Sequence, residues 1–307
     1  MKFRRIAVIM GGGSSEREIS MLSGRAVASA LREAGAEVSE VVADESNAFA
    51  LPAGVEAAFP MIHGAFGEDG GLQARLDALG VPYPGNRAEE SRVAFDKILS
   101  RARFAEAGVP CAEGFVLAPG EAPPALPPMP PPVVVKPPRQ GSSVGVTIVR
   151  EASQWIPAVA EARRFDPDVL VERFIPGREW TVPIIGPADA PTALPIVEVR
   201  PKVEWYDWEA KYSDGAGTDY VFPEDTADAA ELALCERARF VALLAFRATG
   251  GRDMGRIDLR VDPDGGVFAL ENNTVPGCTS HSILPKAAAR AGIPFPELCA
   301  RIMEGAE

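Results

Sequence analysis

The feature that most constrains the fold is a predicted β-hairpin near the end of the chain. Two runs of alternating apolar and polar residues flank the turn Pro263-Asp264-Gly265-Gly266, in which proline fixes one φ angle and glycine permits positive φ. Strands paired about the centre of this turn place Arg256 opposite Asn273. They likewise place Asp258 opposite Glu271. Because side chains alternate between the two faces of a strand, all four polar groups are expected on one face.

The other face of the hairpin is predicted to be apolar, with Leu259 opposite Leu270. Val261 lies opposite Phe268 in the same register. The polar face offers two carboxylates and an amide oxygen, and Mg²⁺ prefers oxygen ligands, commonly together with substrate phosphate oxygens. A solvated face with cross-strand ion pairs is the alternative interpretation. The following loop, TVPGCTSHS at 274–282, favours a site because its small residues let a ligand approach the backbone.

Length and composition are typical of a globular protein with more than one domain. At 307 residues the chain exceeds the size at which a single core usually stops growing, so two or three domains are expected. Its hydrophobic fraction of 47% and charged fraction of 24% are ordinary. A net charge of −12 argues against a nucleic-acid surface, which needs clustered Lys and Arg, but not against nucleotides.

Neither a zinc site, a disulfide framework nor a membrane span is indicated. The cysteines Cys111, Cys235, Cys278 and Cys299 form no closely spaced pair. No apolar run approaches the roughly 18 residues of a membrane span. The segment MKFRRIAVIM at 1–10 has too short an apolar run for a signal peptide and predicts a first strand. We therefore expect a reduced, cytoplasmic protein with no nucleic-acid or membrane partner.

The N-terminal segment predicts a strand, a glycine turn and a helix, which is the opening of a Rossmann-like half. The strand is Ile6–Met10, and the helix is expected to begin at a capping box of Ser15 and Glu18 and to stop at Gly35. The dinucleotide fingerprint is absent because Glu16 stands at its third glycine position, where a carboxylate would repel a pyrophosphate. Glu16 could instead meet an ammonium group, or could only stabilise the helix dipole.

Another strand, Ala57–Ile62, runs into the loop HGAFGEDGG at 63–71. His63 opens this loop, and four glycines and two acids follow it. A lone histidine after a strand is often only a hydrogen-bonded structural residue. The composition of the loop favours a site at the carboxyl end of the strand, and a helix over 72–79 is expected to follow.

The middle of the chain predicts a helix, a connector and a strand–loop–strand unit. One helix is expected over 89–107, and the proline-rich segment at 118–132 indicates an extended connector, with a polyproline ligand for a partner as the alternative. The strand Val133–Pro137 then leads through RQGSSVGV at 139–146 to the strand Thr147–Val149. Amides and hydroxyls of this loop could fold over phosphates, although it is not a Walker A loop.

A polar and aromatic loop distinguishes the C-terminal half. The stretch EWYDWEAKYSDGAGTDY at 204–220 holds three of the four tyrosines and two of the four tryptophans. A lid over an active site is the natural interpretation, and a partner-binding loop is the alternative. The remaining elements expected in this half are strands at 169–175 and 192–199 and helices at 227–249, 282–291 and 294–303.

The combined pattern resembles one family, the D-alanine–D-alanine ligases of the ATP-grasp superfamily. The resemblance runs the whole length of the chain, and the order of its blocks makes it specific where a single block would not. The matching blocks are GGGSSEREIS at 11–20, HGAFGEDG at 63–70, FDK at 95–97, VVKP at 134–137, GSSVG at 141–145, VERFIPGRE at 171–179, YDWEAKY at 206–212, GRIDLRVDPDG at 255–265 and LENNTVPGCTSHS at 270–282.

The resemblance implies an α/β (α+β) fold of the ATP-grasp type in three domains. A Rossmann-like N-terminal substrate domain would span 1–95, a central ATP-grasp subdomain 96–180 and a C-terminal catalytic domain 181–307. ATP would lie between the sheets of the second and third. The implied reaction is the ATP-dependent ligation of two D-alanines through a D-alanyl phosphate, for peptidoglycan synthesis, in a cytoplasmic homodimer.

The resemblance also assigns roles to residues at matching positions. The implied ATP contacts are Lys97, Lys136, Ser142, Ser143, Glu172, Arg173, Phe174, Ile175, Glu179, Lys211 and Asn272. The implied ligands of two Mg²⁺ (or Mn²⁺) ions are Asp258, Glu271 and Asn273. Glu16 would hold the first ammonium group with His63 nearby. Arg256 and the Gly277 amide would stabilise an oxyanion, and Ser282 would contact the second carboxylate.

A few residues differ from those common in the family. The departures are Phe95, Trp205, Trp208 and Cys278. Cys278 follows the implied oxyanion glycine directly, so it bears on substrate preference. Tyr212, which with Ser142 would link the lid to Glu16, matches the ligases that form dipeptides rather than depsipeptides.

Two alternatives to a D-alanine–D-alanine ligase stay open at this point. A related ligase could join a different small D-amino acid or D-hydroxy acid in a secondary pathway. A non-catalytic nucleotide-binding regulator is the alternative from another class. Against it stands the joint presence of six residues with implied roles: Arg256, Asp258, Glu271, Asn273, Lys136 and Lys211.

Overall fold

In a computed structural model of the chain, the described residues are 2–200, 218–226 and 228–307. The strands are β1 Arg5–Gly11, β2 Glu37–Ala43, β3 Ala57–Pro60, β4 Gly114–Leu117, β5 Val133–Lys136, β6 Thr147–Val149, β7 Val169–Arg173, β8 Arg178–Gly186, β9 Thr192–Ala193, β10 Val197–Arg200, β11 Asp219–Val221, β12 Asp253–Val261 and β13 Val267–Asn273. The helices are α1 Arg17–Glu33, α2 Gly71–Leu79, α3 Ala88–Phe95, α4 Lys97–Ala107, α5 Trp155–Ala162, α6 Ala229–Ala248, α7 Ile283–Arg290 and α8 Phe295–Glu304.

The first sheet is parallel, in the order β2–β1–β3, and α1 packs against it. This confirms the predicted strand, glycine turn and helix. The predicted capping box of Ser15 and Glu18 is wrong, because α1 begins after Glu16 and no side chain caps it. Ser14 accepts a hydrogen bond from the Glu16 amide and donates to the His63 carbonyl, so the loop is tied to its neighbour instead.

The second sheet is antiparallel, in the order β4–β7–β5–β6. Its core includes Trp155 of α5 with Val135 and Val171 of the sheet. The proline-rich residues 118–132 between β4 and β5 form neither a helix nor a strand, as expected for an extended connector.

The third sheet runs β11–β10–β8–β12–β13, with β9 paired to β8. The strand predicted over 192–199 is divided into β9 and β10, and Pro195 lies in the gap, where it offers no amide to a ladder. Asp219 and Tyr220 lie in β11 rather than in a loop. None of the described helices is both long and apolar enough to cross a bilayer.

The hairpin β12–β13 has the predicted register only at the end that bears the polar residues. Arg256 pairs with Asn273 there, and Asp258 pairs with Glu271. In this part of the third sheet the two carboxylates, the guanidinium and the amide therefore follow the alternation read from the sequence.

The predicted apolar pairs, Leu259 with Leu270 and Val261 with Phe268, are wrong. The observed pairs are Leu259–Ala269, Arg260–Phe268 and Val261–Val267. Leu270 is an extra residue in a bulge between the two registers. The loop sets the shift, because the Asp262 carboxylate accepts two loop amides and the Asp262 amide donates to the Gly266 carbonyl at 2.9 Å.

The helix predicted over 89–107 is two helices, α3 and α4, which meet at Asp96. Asp96 has extended backbone angles, and its carboxylate accepts the amides of Ile98 and Leu99. The break directs Lys97 away from the line of α3. The Lys97 amide bonds the Pro138 carbonyl and its ammonium bonds the Gln140 carbonyl, so α4 is fixed to the loop after β5.

The first sheet and the C-terminal helices share one hydrophobic core. Val8 of β1 and Leu31 of α1 belong to the same buried cluster as Leu298 and Ile302 of α8. The chain therefore returns to its N-terminal unit at its end, which brings loops of the first sheet against the end of β13.

Candidate active site

A cavity of about 880 Å³ is lined by residues that lie on or after strands of all three sheets. The predicted site residues that line it are Glu16, His63, Lys97, Ser142, Glu179, Arg256, Asp258, Glu271, Asn272, Asn273, Gly277 and Ser282. The predicted ATP contacts that lie outside this lining, among the described residues, are Lys136, Ser143, Glu172, Arg173, Phe174 and Ile175.

Cations of the protein hold both hairpin carboxylates. Arg256 donates from Nε and Nη2 to the two oxygens of Asp258, at 2.8 and 2.7 Å. Thr181 of β8 donates to the same carboxylate at 2.6 Å. The ammonium of Lys97 lies 2.8 Å from Oε2 of Glu271. The polar face is thus charge-balanced and fixed in direction from both sides.

Glu16 meets the loop after β5. Ser142 donates from Oγ to Oε1 of Glu16 at 2.6 Å. Ser142 and Ser143 both have positive φ angles, 50° and 60°, a strained state for residues with a side chain. A Cβ at Gly64 would lie 3.0 Å from Oε2 of Glu16, so the glycine leaves room for this carboxylate.

His63 and Glu68 lie side by side in the lining of the cavity. Nδ1 of His63 lies 3.9 Å from Oε1 of Glu68, which also accepts the Gly64 amide. Burial lowers the pKa of His63, and burial, with the nearby Glu16 carboxylate, raises the pKa of Glu68 to about 8. Burial thus disfavours the charged form of both groups. Glu68 had no assigned role from sequence, although it lies in the loop that His63 opens.

Lys136 and Glu172 pair with each other across β5 and β7. The Lys136 ammonium contacts one carboxylate oxygen of Glu172, and Arg101 of α4 contacts the other. Lys136 is 7% exposed and Glu172 4%, so these two members of the triad are shielded from water, and the Arg101 side chain is partly exposed. Sequence reasoning missed Arg101, although it lies one turn after Lys97 on the same helix face.

Arg260 contacts residues in and directly before β8. Its Nη1 lies 3.6 Å from Oε2 of Glu179, and its Nε donates to the Ile175 carbonyl at 3.1 Å. Its guanidinium lies 5.8 Å from the centre of the Phe174 ring. Arg173, by contrast, is exposed at the end of β7. Sequence reasoning also missed Arg260, although it alternates in phase with Arg256 and Asp258 along β12.

The loop between β13 and α7 folds tightly around Ser282. The Thr279 amide donates to Oγ of Ser282 at 3.0 Å, and a Cβ at Gly277 would lie 2.8 Å from the same oxygen. A side chain at position 277 would therefore collide with the Ser282 hydroxyl unless that hydroxyl moved. Cys278, the next residue, is buried, and its thiol lies 3.5 Å from the Pro276 carbonyl.

Comparison with known proteins identifies the architecture. The family described as D-ala D-ala ligase C-terminus matches residues 129–304, and a D-alanine–D-alanine ligase of Laribacter hongkongensis is 41% identical over 99% of this chain and 97% of the relative. The chain belongs to the D-alanine–D-alanine ligase family. A D-alanine–D-alanine ligase B of Chromobacterium violaceum is 39% identical over 99% of this chain and 98% of the relative.

Solved structures agree on the fold. The D-alanine–D-alanine ligase of Coxiella burnetii superposes with a TM-score of 0.83 at 25% identity, over 99% of this chain and 94% of that one. The VanG D-Ala:D-Ser ligase of Enterococcus faecalis gives 0.84 at 24% identity over 99% of both chains. The predicted α/β fold of the ATP-grasp type is confirmed, and the chain belongs to a family of ATP-dependent ligases.

The residues of the hairpin fit the divalent cation that this ligase family implies. Oδ1 of Asn273 is buried without a hydrogen-bond partner in the described structure, although it lies on the same face as Asp258 and Glu271. In the described part of the chain no three His, Cys, Asp or Glu side chains cluster as a metal site. A cation here would therefore depend on the Asn273 amide and on substrate phosphate oxygens, which suits Mg²⁺.

Asn272 points to the opposite face of β13 from the carboxylates. It pairs with Ile257, and its Nδ2 donates to Thr249 at the end of α6 at 2.8 Å. Its side chain therefore ties the hairpin to α6, although Asn272 also belongs to the lining of the cavity. Four other residues named from the sequence lie outside the described residues: Trp205, Trp208, Lys211 and Tyr212.

Proposed function

We propose that this chain joins two D-alanine molecules into D-alanyl-D-alanine, with conversion of ATP to ADP and phosphate through a D-alanyl phosphate. The observation that carries the proposal is the convergence in one cavity of the Arg256–Asp258 pair, Glu271 and Asn273 with the Glu16–Ser142 contact. Relatives about 40% identical over the whole chain bear the name of this reaction.

The nucleotide would bind between the second and third sheets. Lys97 and Lys136 would meet its phosphates, the stretch 172–175 its adenine, and Glu179 its ribose. The strained loop of Ser142 and Ser143 would cover the phosphates. Two contacts of Lys97 support this placement of the nucleotide. Its ammonium group donates to the Gln140 carbonyl in the loop after β5, and it also lies beside the carboxylate of Glu271.

Asp258, Glu271 and Asn273 would hold the divalent cations, two Mg²⁺ or Mn²⁺. When bound, such cations offset the phosphate charge that repels an attacking carboxylate. The protein's part is to hold the carboxylates in place beforehand, which Thr181 and Arg256 do for Asp258.

In the first step a carboxylate oxygen of one D-alanine attacks the γ-phosphorus, and the bond from that phosphorus to the oxygen of ADP breaks. Glu16 would hold the ammonium group of this substrate by charge, with His63 nearby. Ser142 restrains Glu16 through its hydrogen bond, so the substrate is oriented before the phosphoryl group moves.

In the second step the uncharged amine of another D-alanine attacks the carbonyl carbon of the acyl phosphate. The carbon–nitrogen bond forms, the carbon–oxygen bond to phosphate breaks, and the proton that the nitrogen loses passes to the departing phosphate. Arg256 and the Gly277 amide would stabilise the oxyanion, a role worth roughly 3–4 kcal/mol per donor. Ser282 would receive the second carboxylate. Lys211 and Tyr212 would complete the cover.

The test is phosphate release from ATP with a panel of D- and L-amino acids and D-lactate, followed by product identification. We expect D-alanine alone to give D-alanyl-D-alanine. A preferred partner other than D-alanine would establish the ligase of another D-amino or D-hydroxy acid instead, and ATP binding without turnover would establish a regulator. The three domains with boundaries near 95 and 180, the homodimer, the cytoplasmic location and the role in peptidoglycan synthesis stay predictions.

A further inference from the structure

Two buried serines of α1 attach the helix to different parts of the protein. Ser20 accepts the Gly11 amide at 2.8 Å and donates to the Met61 carbonyl at 2.6 Å. Ser23, one turn later, accepts the Cys278 amide at 3.2 Å and lies 3.4 Å from Nε2 of His63. Ser20 therefore fixes α1 to its own sheet, whereas Ser23 connects it to the loop after β13.

We propose that Ser23 is a positioning residue for the oxyanion site. Its hydroxyl contacts two groups at once, the Cys278 amide, which belongs to the peptide between Gly277 and Cys278, and the imidazole of His63. The inference rests on the proposed role of the Gly277 amide. Glycine is the most mobile residue of a backbone, and Gly277 follows Pro276, whose φ is fixed by its ring. Holding the Cys278 amide restrains Gly277 from its other side.

The hydrogen-bonding capacity of the hydroxyl matches its surroundings. A serine hydroxyl has one hydrogen to donate and two lone pairs. One lone pair takes the Cys278 amide. The hydroxyl also lies 3.4 Å from Nε2 of His63, and it can donate its hydrogen there in the tautomer that carries the ring proton on Nδ1. Burial lowers the pKa of His63, which favours the uncharged imidazole that this arrangement needs.

Packing alone does not call for serine at this position. Ser23 is completely buried in the interior of a helix, where alanine has the higher helix propensity and carries no hydroxyl to satisfy. The hydroxyl spans 255 positions of sequence to reach Cys278. A chain of contacts from Glu68 through His63 and Ser23 thus supports the floor of the cavity.

The experiment compares Ser23→Ala with Ser20→Ala, a matched control in the same helix with the same burial. Steady-state kinetics would use the amino acid that the panel identifies as substrate. We expect kcat to fall roughly tenfold or more in Ser23→Ala, since small displacements of catalytic groups are costly, while KM for ATP is unchanged. Ser20→Ala should lose thermal stability but retain kcat within about twofold. Ser23→Cys, which preserves size but is a weak acceptor, should behave like Ser23→Ala.

A double-mutant cycle tests whether Ser23 acts through His63. If it does, Ser23→Ala combined with His63→Gln should lose little more kcat than the worse single variant, because neighbouring groups of one network are not additive. Equal kcat values in Ser23→Ala and Ser20→Ala, or fully additive losses in the cycle, would overturn the proposal.

Amide hydrogen exchange of the peptide containing Cys278, in ligand-free protein, separates this inference from the function on which it rests. Exchange there should be faster in Ser23→Ala than in wild type and Ser20→Ala. Faster exchange in a protein that does not ligate D-alanine would support the tether and refute the proposed substrate. Unchanged exchange would refute the tether while leaving the ligase activity intact.

Discussion

Ser142 donates a 2.6 Å hydrogen bond to Glu16, although 126 positions separate the two residues. The bond joins the loop over the expected phosphate site to the carboxylate expected to hold the first amino group. With the proposed roles of these two residues, one contact would link binding of the first substrate to the position of this loop.

Loss of the Ser142–Glu16 contact should weaken both the binding of the first amino group and the covering of the phosphates. In a cycle of Ser142→Ala and Glu16→Gln we expect a coupling of roughly 1–3 kcal/mol in kcat/KM, because a hydrogen bond to a carboxylate is stronger than a neutral one. The control cycle combines Ser15→Ala, at the exposed residue directly before Glu16, with Glu16→Gln. Its losses of kcat/KM should be additive. Additivity in the first cycle would show that the contact has no part in turnover.

Glu271→Gln should abolish turnover while the protein remains folded. The change removes a charge and almost no volume, so it weakens cation binding and also the ion pair with Lys97. The measurements are phosphate release as a function of Mg²⁺ concentration and circular dichroism of the variant. Glu297→Gln, on the surface of α8, is the matched control. A Glu271→Gln protein with normal activity and normal Mg²⁺ dependence would remove Glu271 from the cation site.

Glu172→Gln should destabilise the protein strongly, apart from any effect on ATP. Its carboxylate is the shared partner of Lys136 and Arg101 in a buried site, and removal of one member of a buried ion group costs about 3–5 kcal/mol. Urea unfolding measures this loss. Glu89→Gln, which breaks an exposed pair with Arg92, should change the free energy of unfolding little. If both variants changed it equally, the buried triad would stabilise the protein no more than a surface ion pair does.

Glu68 should make stability fall as the pH rises from about 5 to 8. Burial raises the pKa of Glu68 to about 8 in the folded protein, whereas the unfolded chain releases this proton near its ordinary value of about 4.5. Between these values the folded state binds more protons, so the stabilisation is complete below the lower pKa and is lost as pH passes the higher one. Glu68→Gln cannot ionise, and its thermal midpoint relative to wild type should therefore increase from pH 5 to pH 8. Glu33→Gln, at the exposed end of α1, should show a constant difference.

Local periodicity predicted the part of the site that a single hairpin builds. The alternation of side chains placed Asp258 opposite Glu271 correctly, because near that end no residue is inserted. It failed towards the turn, where the Asp262 carboxylate gathers loop amides and Leu270 bulges. Such a bulge depends on hydrogen bonds inside the loop, which hydrophobic pattern does not encode.

Contacts between distant segments could be predicted from the sequence only in part. The approach of Ser142 to Glu16 followed from resemblance to a family and from no pattern of residues. Arg101 and Ser23 were missed because an arginine or a serine in a helix has ordinary interpretations, as a solvated charge and as a neutral small residue. Their partners, Glu172 and Cys278, are fixed by tertiary packing alone.

Helix α4 contacts both sheets that would enclose ATP, through cations one turn apart. Lys97 reaches Glu271 in the third sheet, and Arg101 reaches Glu172 in the second. An α-helix of this length moves as a stiff rod, so the two cations keep their separation of one turn. A rotation of the second sheet relative to the third would therefore break one ion pair or carry α4 with it. Opening of the proposed nucleotide cleft would in this way change the charge balance around Glu271.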